Sequence, residues 1–320
     1  MLLEPLELQS TAKRSLERSN HPGRIILIHT GVVLLVSLLL TALDYWLDLQ
    51  IGTTGGLSGM DARSIWVTIQ SVLRLTQVIL LPFWQIGYTF YTLKVAQNQP
   101  AGVSDLWEGL RRFGPVLRLK VLMAGMGLLL TLVSAYVGSF LFTLTPWATP
   151  MMQKMEALMS TSTLDQTALI EAVTAMIEES VVPIMIIFSL CFLAGAIFLF
   201  FRFRLAEHWL MAHPEGGALA ALHNSKKLMQ GNWKAMFKVD LRFWWFYILE
   251  LLISALCYGD VILDSFGIEL TMDAFGSYLI CFSLYMWAHM ALYWWKKNEV
   301  AVTYAHAYLT LCPPEPKIKE

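Results

Sequence analysis

Six long apolar stretches constrain the fold of this chain more than any other feature of its sequence. A helix needs about 20 mostly apolar residues to cross a bilayer, and there it must satisfy its backbone hydrogen bonds internally. With 56% hydrophobic and 15% charged residues, the chain also lies far from the balance of a soluble domain. We therefore predict an all-α, polytopic membrane helix bundle. Its six transmembrane helices are placed at residues 25–47, 66–93, 117–142, 181–204, 241–263 and 274–295.

The distribution of basic residues predicts the orientation of this bundle. Twenty of the 23 lysines and arginines fall in the two terminal segments and in the second and fourth connections between the stretches. Basic residues in short connections stay on the cytoplasmic side when a chain is inserted. The opposite connections carry acidic residues instead. We therefore expect a multi-pass plasma membrane protein with both termini in the cytoplasm.

This topology divides the chain into three regions. Residues 1–24 form a cytoplasmic N-terminal tail, residues 25–295 the transmembrane domain, and residues 296–320 a cytoplasmic C-terminal tail. Within the domain we expect an extracellular amphipathic segment at 146–180 and a cytoplasmic loop with an interfacial helix at 205–240. The N-terminal residues lack the order of a basic region and an apolar core that marks a cleaved signal peptide. We expect them to be retained.

The approach to the fifth stretch has the composition of a membrane surface. A lysine near an anionic leaflet is attracted by about 1 kcal/mol, and aromatic rings prefer the interface between water and hydrocarbon. The aromatic run Phe243–Tyr247 is expected to form such an interfacial belt. The bilayer, with its anionic inner-leaflet headgroups, is thus the expected partner of this region. The candidate headgroup-binding residues are Lys226, Lys227, Lys234 and Lys238.

A short helix precedes this approach. Leu219, Leu222, Leu228 and Met229 fall on one of its faces, and Gly231 and Asn232 are typical of its end. We expect the helix to lie on the inner leaflet, either as a simple connector or as a site for lipid headgroups or a partner.

Several segments resemble one known family. Near the start and the end stand LQSTAKRSL and AVTYAHAYLTL, and between them PFWQIGYTFYTLKVAQNQPAGVSDLWEGLRRF, SKKLMQGN, MFKVDLRFWWFY and CYGD. Together they resemble the bacterial membrane family called domain of unknown function 975, over most of the chain. The resemblance implies a polytopic architecture and no established activity. It carries over no catalytic residue.

Ionisable side chains in the middle of a membrane are costly, so each one needs an explanation. Glu250 and His289 are expected at similar depths on the inner side of the fifth and sixth helices, with Gln85 at about the same level. One interpretation is a hydrogen-bonded contact that fixes the register of the helices. The other is a pair that exchanges protons or attracts cations, as in a transporter.

A second polar layer is expected nearer the outer surface. Arg74 lies on a polar stripe of the second helix, and either Asp44 or Asp260 could neutralise it by depth. An ion pair that fixes helix packing, a gate or substrate contact, and an arginine extending to the interface are all consistent with this position.

Small residues of the third stretch, Gly125, Gly127, Ser134 and Gly138, would let helices approach closely, within the chain or in a homodimer. HExxH, GxSxG, P-loop and GxGxxG motifs do not occur in a suitable context. We therefore predict no catalytic residue, metal site, cofactor or nucleic-acid partner. The expected function is a non-enzymatic role in envelope or lipid homeostasis, or as a subunit of a membrane complex. Transport of a small solute or ion is the alternative.

Overall fold

The computed structural model describes residues 4–53, 60–160, 166–256, 259 and 274–312, with the side chains of 44, 45, 48–53, 60–64, 73–80, 155, 157–160, 166–180 and 274–279 left out. The regular structure of these residues is helical. The longer helices are α1 Pro5–Arg18, α2 Pro22–Thr53, α3 Met60–Ala96, α5 Phe113–Thr143, α6 Ala148–Ser160, α7 Gln166–Phe203, α9 Gly217–Met229, α10 Trp233–Arg242, α11 Trp244–Ala255, α12 Ala274–Leu292 and α13 Asn298–Leu311. The short ones are a 3-10 turn at Val103–Trp107, α4 Glu108–Arg111, α8 Ala206–Ala212, a 3-10 turn at Pro214–Gly216 and a π-helical turn at Tyr293–Lys297.

The predicted all-α class is confirmed, whereas the number of membrane spans is confirmed only in part. Among the described residues, Pro22–Leu43, Phe113–Thr143 and Val181–Ala212 are helical stretches long and apolar enough to cross a membrane. Helix α11, in the fifth predicted stretch, is apolar but has only 12 residues within the described part of the chain. Six spans therefore stay a prediction.

Helix α7 joins two regions that the sequence analysis treats separately. It begins at Gln166, inside the acidic segment, and continues without a break to Phe203. At 1.5 Å per residue its 38 residues extend about 57 Å, well beyond a hydrocarbon core of about 30 Å. The second half of the 146–180 segment is thus a continuation of the fourth apolar stretch.

The chain divides into two compact units, and the smaller one comprises residues 119–204. Within it, a Cβ atom added to Gly138 would lie 3.4 Å from the backbone of Phe188, and one added to Gly195 would lie 2.2 Å from the side chain of Leu130. These two glycines therefore allow close packing, as predicted for Gly138. Gly125 and Gly127 have open space beside them.

The larger unit comprises residues 1–118 and 205–320, and α13 lies at its centre. This helix packs against α1, α2 and α3. Val302, Thr303, Ala305 and Ala307 are completely buried, because small side chains on several faces allow neighbouring helices to approach. Most of the predicted C-terminal tail that the structure describes is therefore a core helix. Its cytoplasmic location stays a prediction.

The second half of α3 is clamped by the segment that follows it. A Cβ atom on Gly87 would lie 1.9 Å from the carbonyl oxygen of Leu106, and one on Gly109 would lie 2.0 Å from that of Phe83. Only glycine permits this contact between the backbones of α3, the 3-10 turn and α4. The arrangement holds the end of α3 and α4 as one rigid element.

Two details differ from the expected cytoplasmic approach. Leu219 is 72% exposed, whereas Leu222 and Met229 are buried, so the apolar face of α9 is not continuous on the surface. The aromatic run is divided as well. Phe243 and Phe246 are core residues with at most 1% exposure, while Trp244 remains exposed. The chain turns at Phe243, which separates α10 from α11.

Candidate functional site

The inner polar layer forms around Glu250, on α11. The Tyr293 hydroxyl, in the π-helical turn, donates a hydrogen bond to its carboxylate. The Lys297 ammonium lies 3.9 Å from the same carboxylate and donates a 3.4 Å hydrogen bond to the Tyr293 oxygen. Tyr293 and Lys297 are four residues apart and so share one helix face. The geometry creates a compact group of one acid, one phenol and one amine.

His289 joins this group through its ring rather than through a described hydrogen bond to Glu250. The centroid of its ring lies 4.0 Å from that of Tyr293 and 5.3 Å from that of Tyr285. Among the described residues, the buried Nδ1 atom has no hydrogen-bond partner. The structure thus brings the predicted Glu250 and His289 near one another, with Tyr293 between them.

Gln85 takes part in a neighbouring network instead. Its side chain is exposed and interacts with His29 of α2. The buried His29 ring stacks on Tyr88 at a centroid distance of 4.5 Å, and the Tyr88 hydroxyl donates a 2.8 Å hydrogen bond to Asn298 Oδ1. Asn298 in turn donates a 2.8 Å bond to the carbonyl oxygen of Pro22. This network joins α2, α3 and α13.

The predicted outer polar layer consists of Arg74, Asp44 and Asp260. Asp260 lies outside the described residues, as do the side chains of Arg74 and Asp44. Their pairing stays a prediction.

The four candidate headgroup lysines are all exposed, but their surroundings differ. Lys226 and Lys227 lie on α9. Lys234 and Lys238 lie on α10, one helical turn apart, and the Lys234 ammonium is 5.4 Å from the ring centroid of Trp233. The structure therefore combines cationic and aromatic groups on α10.

Helix α10 has an exposed apolar stripe that the sequence analysis did not identify. Trp233, Phe237 and Leu241 follow one another at intervals of four residues and are 51%, 44% and 52% exposed. Met236 and Val239, on the opposite side, are completely buried and fix the orientation of the helix. An apolar stripe beside a line of lysines is typical of a helix at a membrane surface.

A shallow groove of about 380 Å³ lies between α10 and the start of α1. Leu6 and Leu241 provide apolar walls, and Lys238 and Arg242 provide positive charge. Glu4 lies at the same groove. Arg242 is held in place because its Nε donates a 2.8 Å hydrogen bond to Gln9 Oε1.

Glu299, on α13, is the centre of a second charged cluster. Gln9 Nε2 donates a 2.5 Å hydrogen bond to its carboxylate, and Lys296 Nζ donates one of 2.9 Å. Lys13 Nζ lies 3.8 Å away. Burial alone would raise the pKa of Glu299, but the bonds from Gln9 and Lys296 and the charges of Lys296 and Lys13 lower it below its ordinary value. The ionised carboxylate therefore stabilises the contact of α1 with α13.

Segments that carry the family resemblance converge on these contacts. Arg242 reaches Gln9 and thereby Glu299, while Tyr304 donates a 2.5 Å hydrogen bond to Asp240. The segment LQSTAKRSL contains Gln9, and MFKVDLRFWWFY contains Asp240 and Arg242. The segment AVTYAHAYLTL contains Tyr304. Residues far apart in sequence thus form one junction of α1, α10 and α13.

Sequence reasoning missed Tyr293, Lys297 and Glu299 as partners in these clusters. The spacing of Tyr293 and Lys297 could have indicated their role. They follow His289 at intervals of four residues, and residues four apart share one face of a helix. The sequence contained no comparable signal for Glu299. Its partner Gln9 is 290 residues away, and the expected tail gave no reason to bring the two together.

These features define an all-helical protein with apolar helices of membrane length and polar clusters at their ends. The family described as Protein of unknown function (DUF975) matches residues 7–294, and the chain belongs to this family. The resemblance expected from the sequence motifs is therefore confirmed. No curated protein and no solved structure shows a significant match.

Proposed function

We propose that this chain is a non-enzymatic, multi-pass protein of the bacterial plasma membrane that binds anionic lipid headgroups at its cytoplasmic surface. Its role would be in lipid or envelope homeostasis, or as a subunit of a membrane complex. The observation that carries the proposal is the surface of α10. Trp233, Phe237 and Leu241 form an exposed apolar stripe, and Lys234 and Lys238 lie beside it.

The physical argument rests on two contributions to lipid binding. The apolar stripe gains free energy when it enters the boundary between headgroups and acyl chains. Each lysine near an anionic surface adds about 1 kcal/mol, and its alkyl chain can extend along apolar surface. The groove lined by Leu6, Lys238, Leu241 and Arg242 offers both kinds of contact in one place. Neutral lipids would gain only the first contribution.

The test measures which lipids the full-length protein retains. Protein exchanged into mixed micelles with equal amounts of phosphatidylglycerol and phosphatidylcholine is repurified, and the bound lipids are quantified by mass spectrometry. We expect enrichment of phosphatidylglycerol. The double variant Lys234→Gln, Lys238→Gln removes about 2 kcal/mol of attraction and should reduce this enrichment on the order of thirtyfold at low salt.

The matched control is Lys226→Gln, Lys227→Gln, which removes the same charge from α9. A smaller reduction is expected, because these lysines lie on α9 and not on the helix that carries the apolar stripe. The proposal fails if the wild-type protein retains the two lipids equally. It also fails if the α9 and α10 variants lose phosphatidylglycerol to the same extent.

The group around Glu250 favours a second candidate function, transport of protons or small cations. Glu250 and Tyr293 lie in stretches that we predict to span the membrane, and Lys297, two residues beyond the sixth stretch, contacts both. In proteoliposomes with an internal pH dye, a transporter would dissipate a proton gradient, and Glu250→Gln would abolish the flux. Equal fluxes in protein-containing and empty vesicles would exclude proton transport.

A further inference from the structure

A cleft of about 440 Å³ lies within the larger unit and shares no residue with the α10 surface. Its walls are formed by the end of α3, the residue after α4, the end of α8 with the segment that follows it, and the last turn of α13. Its size falls in the range of about 300–1,000 Å³ that is common for small-molecule sites. The residues that matter most are Phe90, Lys94, Arg112 and His213.

Two cations are positioned at one aromatic ring in this cleft. The Lys94 ammonium lies 5.2 Å and the Arg112 guanidinium 5.0 Å from the ring centroid of Phe90. Both side chains are only partly exposed, at 28% and 22%. The wall of the cleft thus carries two cationic groups beside one aromatic ring.

The acidic partners of these cations hold them in position from outside the cleft. Asp105 Oδ1 accepts a 2.7 Å bond from Lys94 Nζ, and Asp105 Oδ2 accepts a 2.8 Å bond from the backbone of Gly102. Glu108 accepts a 2.9 Å bond from Arg112 Nε. Neither acid lines the cleft, and among the described residues that do, none is acidic.

Both cations retain donors for a ligand. An ammonium group has three N–H donors and a guanidinium has five. The described bonds use one donor of Lys94 and, with the 3.0 Å bond from Arg112 Nη1 to the Met211 carbonyl, two of Arg112. Arginine and lysine together are suited to phosphate, because the guanidinium fork matches two of its oxygens.

We propose that this cleft is a binding site for a compact phosphate-bearing anion. Lys94 and Arg112 contact the phosphate oxygens, and the exposed side chains of Gln97, Gln99 and His213 surround the opening. Leu93 and Leu309 provide an apolar wall for the rest of the ligand. The phosphate belongs either to a soluble phosphomonoester or inorganic phosphate, or to the headgroup of phosphatidic acid.

Equilibrium dialysis tests the site with full-length protein in a neutral detergent. One arm uses radiolabelled inorganic phosphate, and the other uses labelled dihexanoyl phosphatidic acid, with dihexanoyl phosphatidylcholine as the zwitterionic control. Saturable binding of one phosphate per chain supports the proposal with a soluble ligand. Saturable binding of phosphatidic acid alone supports it with a lipid headgroup. Absence of binding in both arms, or equal binding of phosphatidylcholine and phosphatidic acid, overturns it.

Two variants connect binding to the cleft. Arg112→Gln removes one cation, and Glu108 keeps a second partner because Arg111 Nη1 lies 3.6 Å from it. Gln97→Glu adds a negative charge at the exposed opening without removing a described bond, and it should weaken anion binding about fivefold. The matched control is Gln230→Glu, which adds the same charge at an exposed glutamine outside the cleft.

The expected result is weaker binding by Arg112→Gln and Gln97→Glu and unchanged binding by Gln230→Glu. If both cleft variants bind phosphate or phosphatidic acid like the parent, the site lies elsewhere and the proposal is wrong. An equal loss in Gln97→Glu and Gln230→Glu also contradicts it, because overall charge would then explain the effect.

Discussion

The hydroxyl group of Tyr293 donates a hydrogen bond to the carboxylate of Glu250, and this contact connects the π-helical turn after α12 with α11. A carboxylate between apolar helices requires such a donor, because an unpaired buried charge is costly. Lys297 adds a positive charge 3.9 Å from the same group. The sequence predicted only His289 as a partner for Glu250. The structure adds two further partners, Tyr293 and Lys297.

The first prediction concerns this hydrogen bond. Tyr293→Phe removes only the hydroxyl, and we expect a loss of about 1–3 kcal/mol in the free energy of unfolding because the Glu250 carboxylate loses a hydrogen-bond donor. Thermal unfolding of the purified protein in detergent measures the effect. Tyr136→Phe is the control, since Tyr136 is 80% exposed. Equal unfolding temperatures for the two variants would contradict the assigned role of Tyr293.

The second prediction concerns close backbone packing. Gly87→Ala places a methyl group where the Leu106 carbonyl oxygen now lies, so we expect strongly reduced yield and stability. Gly125→Ala and Gly127→Ala are matched controls with open space around the new methyl group. They should be neutral or slightly stabilising, because alanine favours helix by about 0.5–1 kcal/mol over glycine. Monodisperse yield from size-exclusion chromatography distinguishes the outcomes. Normal folding of Gly87→Ala would refute the described packing.

The third prediction is a loss of stability at acidic pH in two stages. Burial lowers the pKa of His306 below its ordinary value of 6.5. The pKa of Glu299 lies below its ordinary value of 4.5, because Gln9, Lys296 and Lys13 outweigh the effect of burial. Both groups bind protons more readily in the unfolded chain, so their stabilisation is complete above the ordinary pKa and is lost as pH falls. His306 contributes to the decline below about pH 6.5 and Glu299 below about pH 4.5.

Apparent unfolding temperatures between about pH 3 and pH 8 measure this profile. His306→Asn should flatten the upper part of the decline, and Glu299→Gln the lower part. Glu299→Gln should also lower stability at pH 7, because Lys296 and Lys13 then lack their acidic partner. If the unfolding temperatures of both variants decline with pH as those of the parent do, His306 and Glu299 are not the cause of the acid-induced loss of stability.

The sequence predicted the helices well, because apolar stretches of this length leave the backbone few alternatives. It failed where a helix boundary depends on packing. Helix α10 ends and α11 begins at Phe243, and Phe243 and Phe246 are buried although they look like interfacial aromatics in the sequence. Hydropathy does not distinguish an aromatic ring in a protein core from one in a lipid interface.

The candidate site was predicted only in outline. Glu250 and His289 could be placed at one depth, because rise per residue is constant along a helix. Their connection through Tyr293 could not, since it depends on the rotation of two helices about their axes. The cleft at Lys94 and Arg112 depends on the return of α8 and α13 to the end of α3, which no local pattern encodes.

Accessibility of single cysteines tests the proposed membrane topology most directly. Gln153→Cys and Lys226→Cys, both exposed positions, are introduced into a variant whose native cysteines are replaced by serine. A membrane-impermeant maleimide is then added to spheroplasts of a bacterial expression host. We expect residue 153 to be labelled at once and residue 226 only after the membrane is permeabilised. Labelling of both residues in intact spheroplasts, or protection of both, would contradict it.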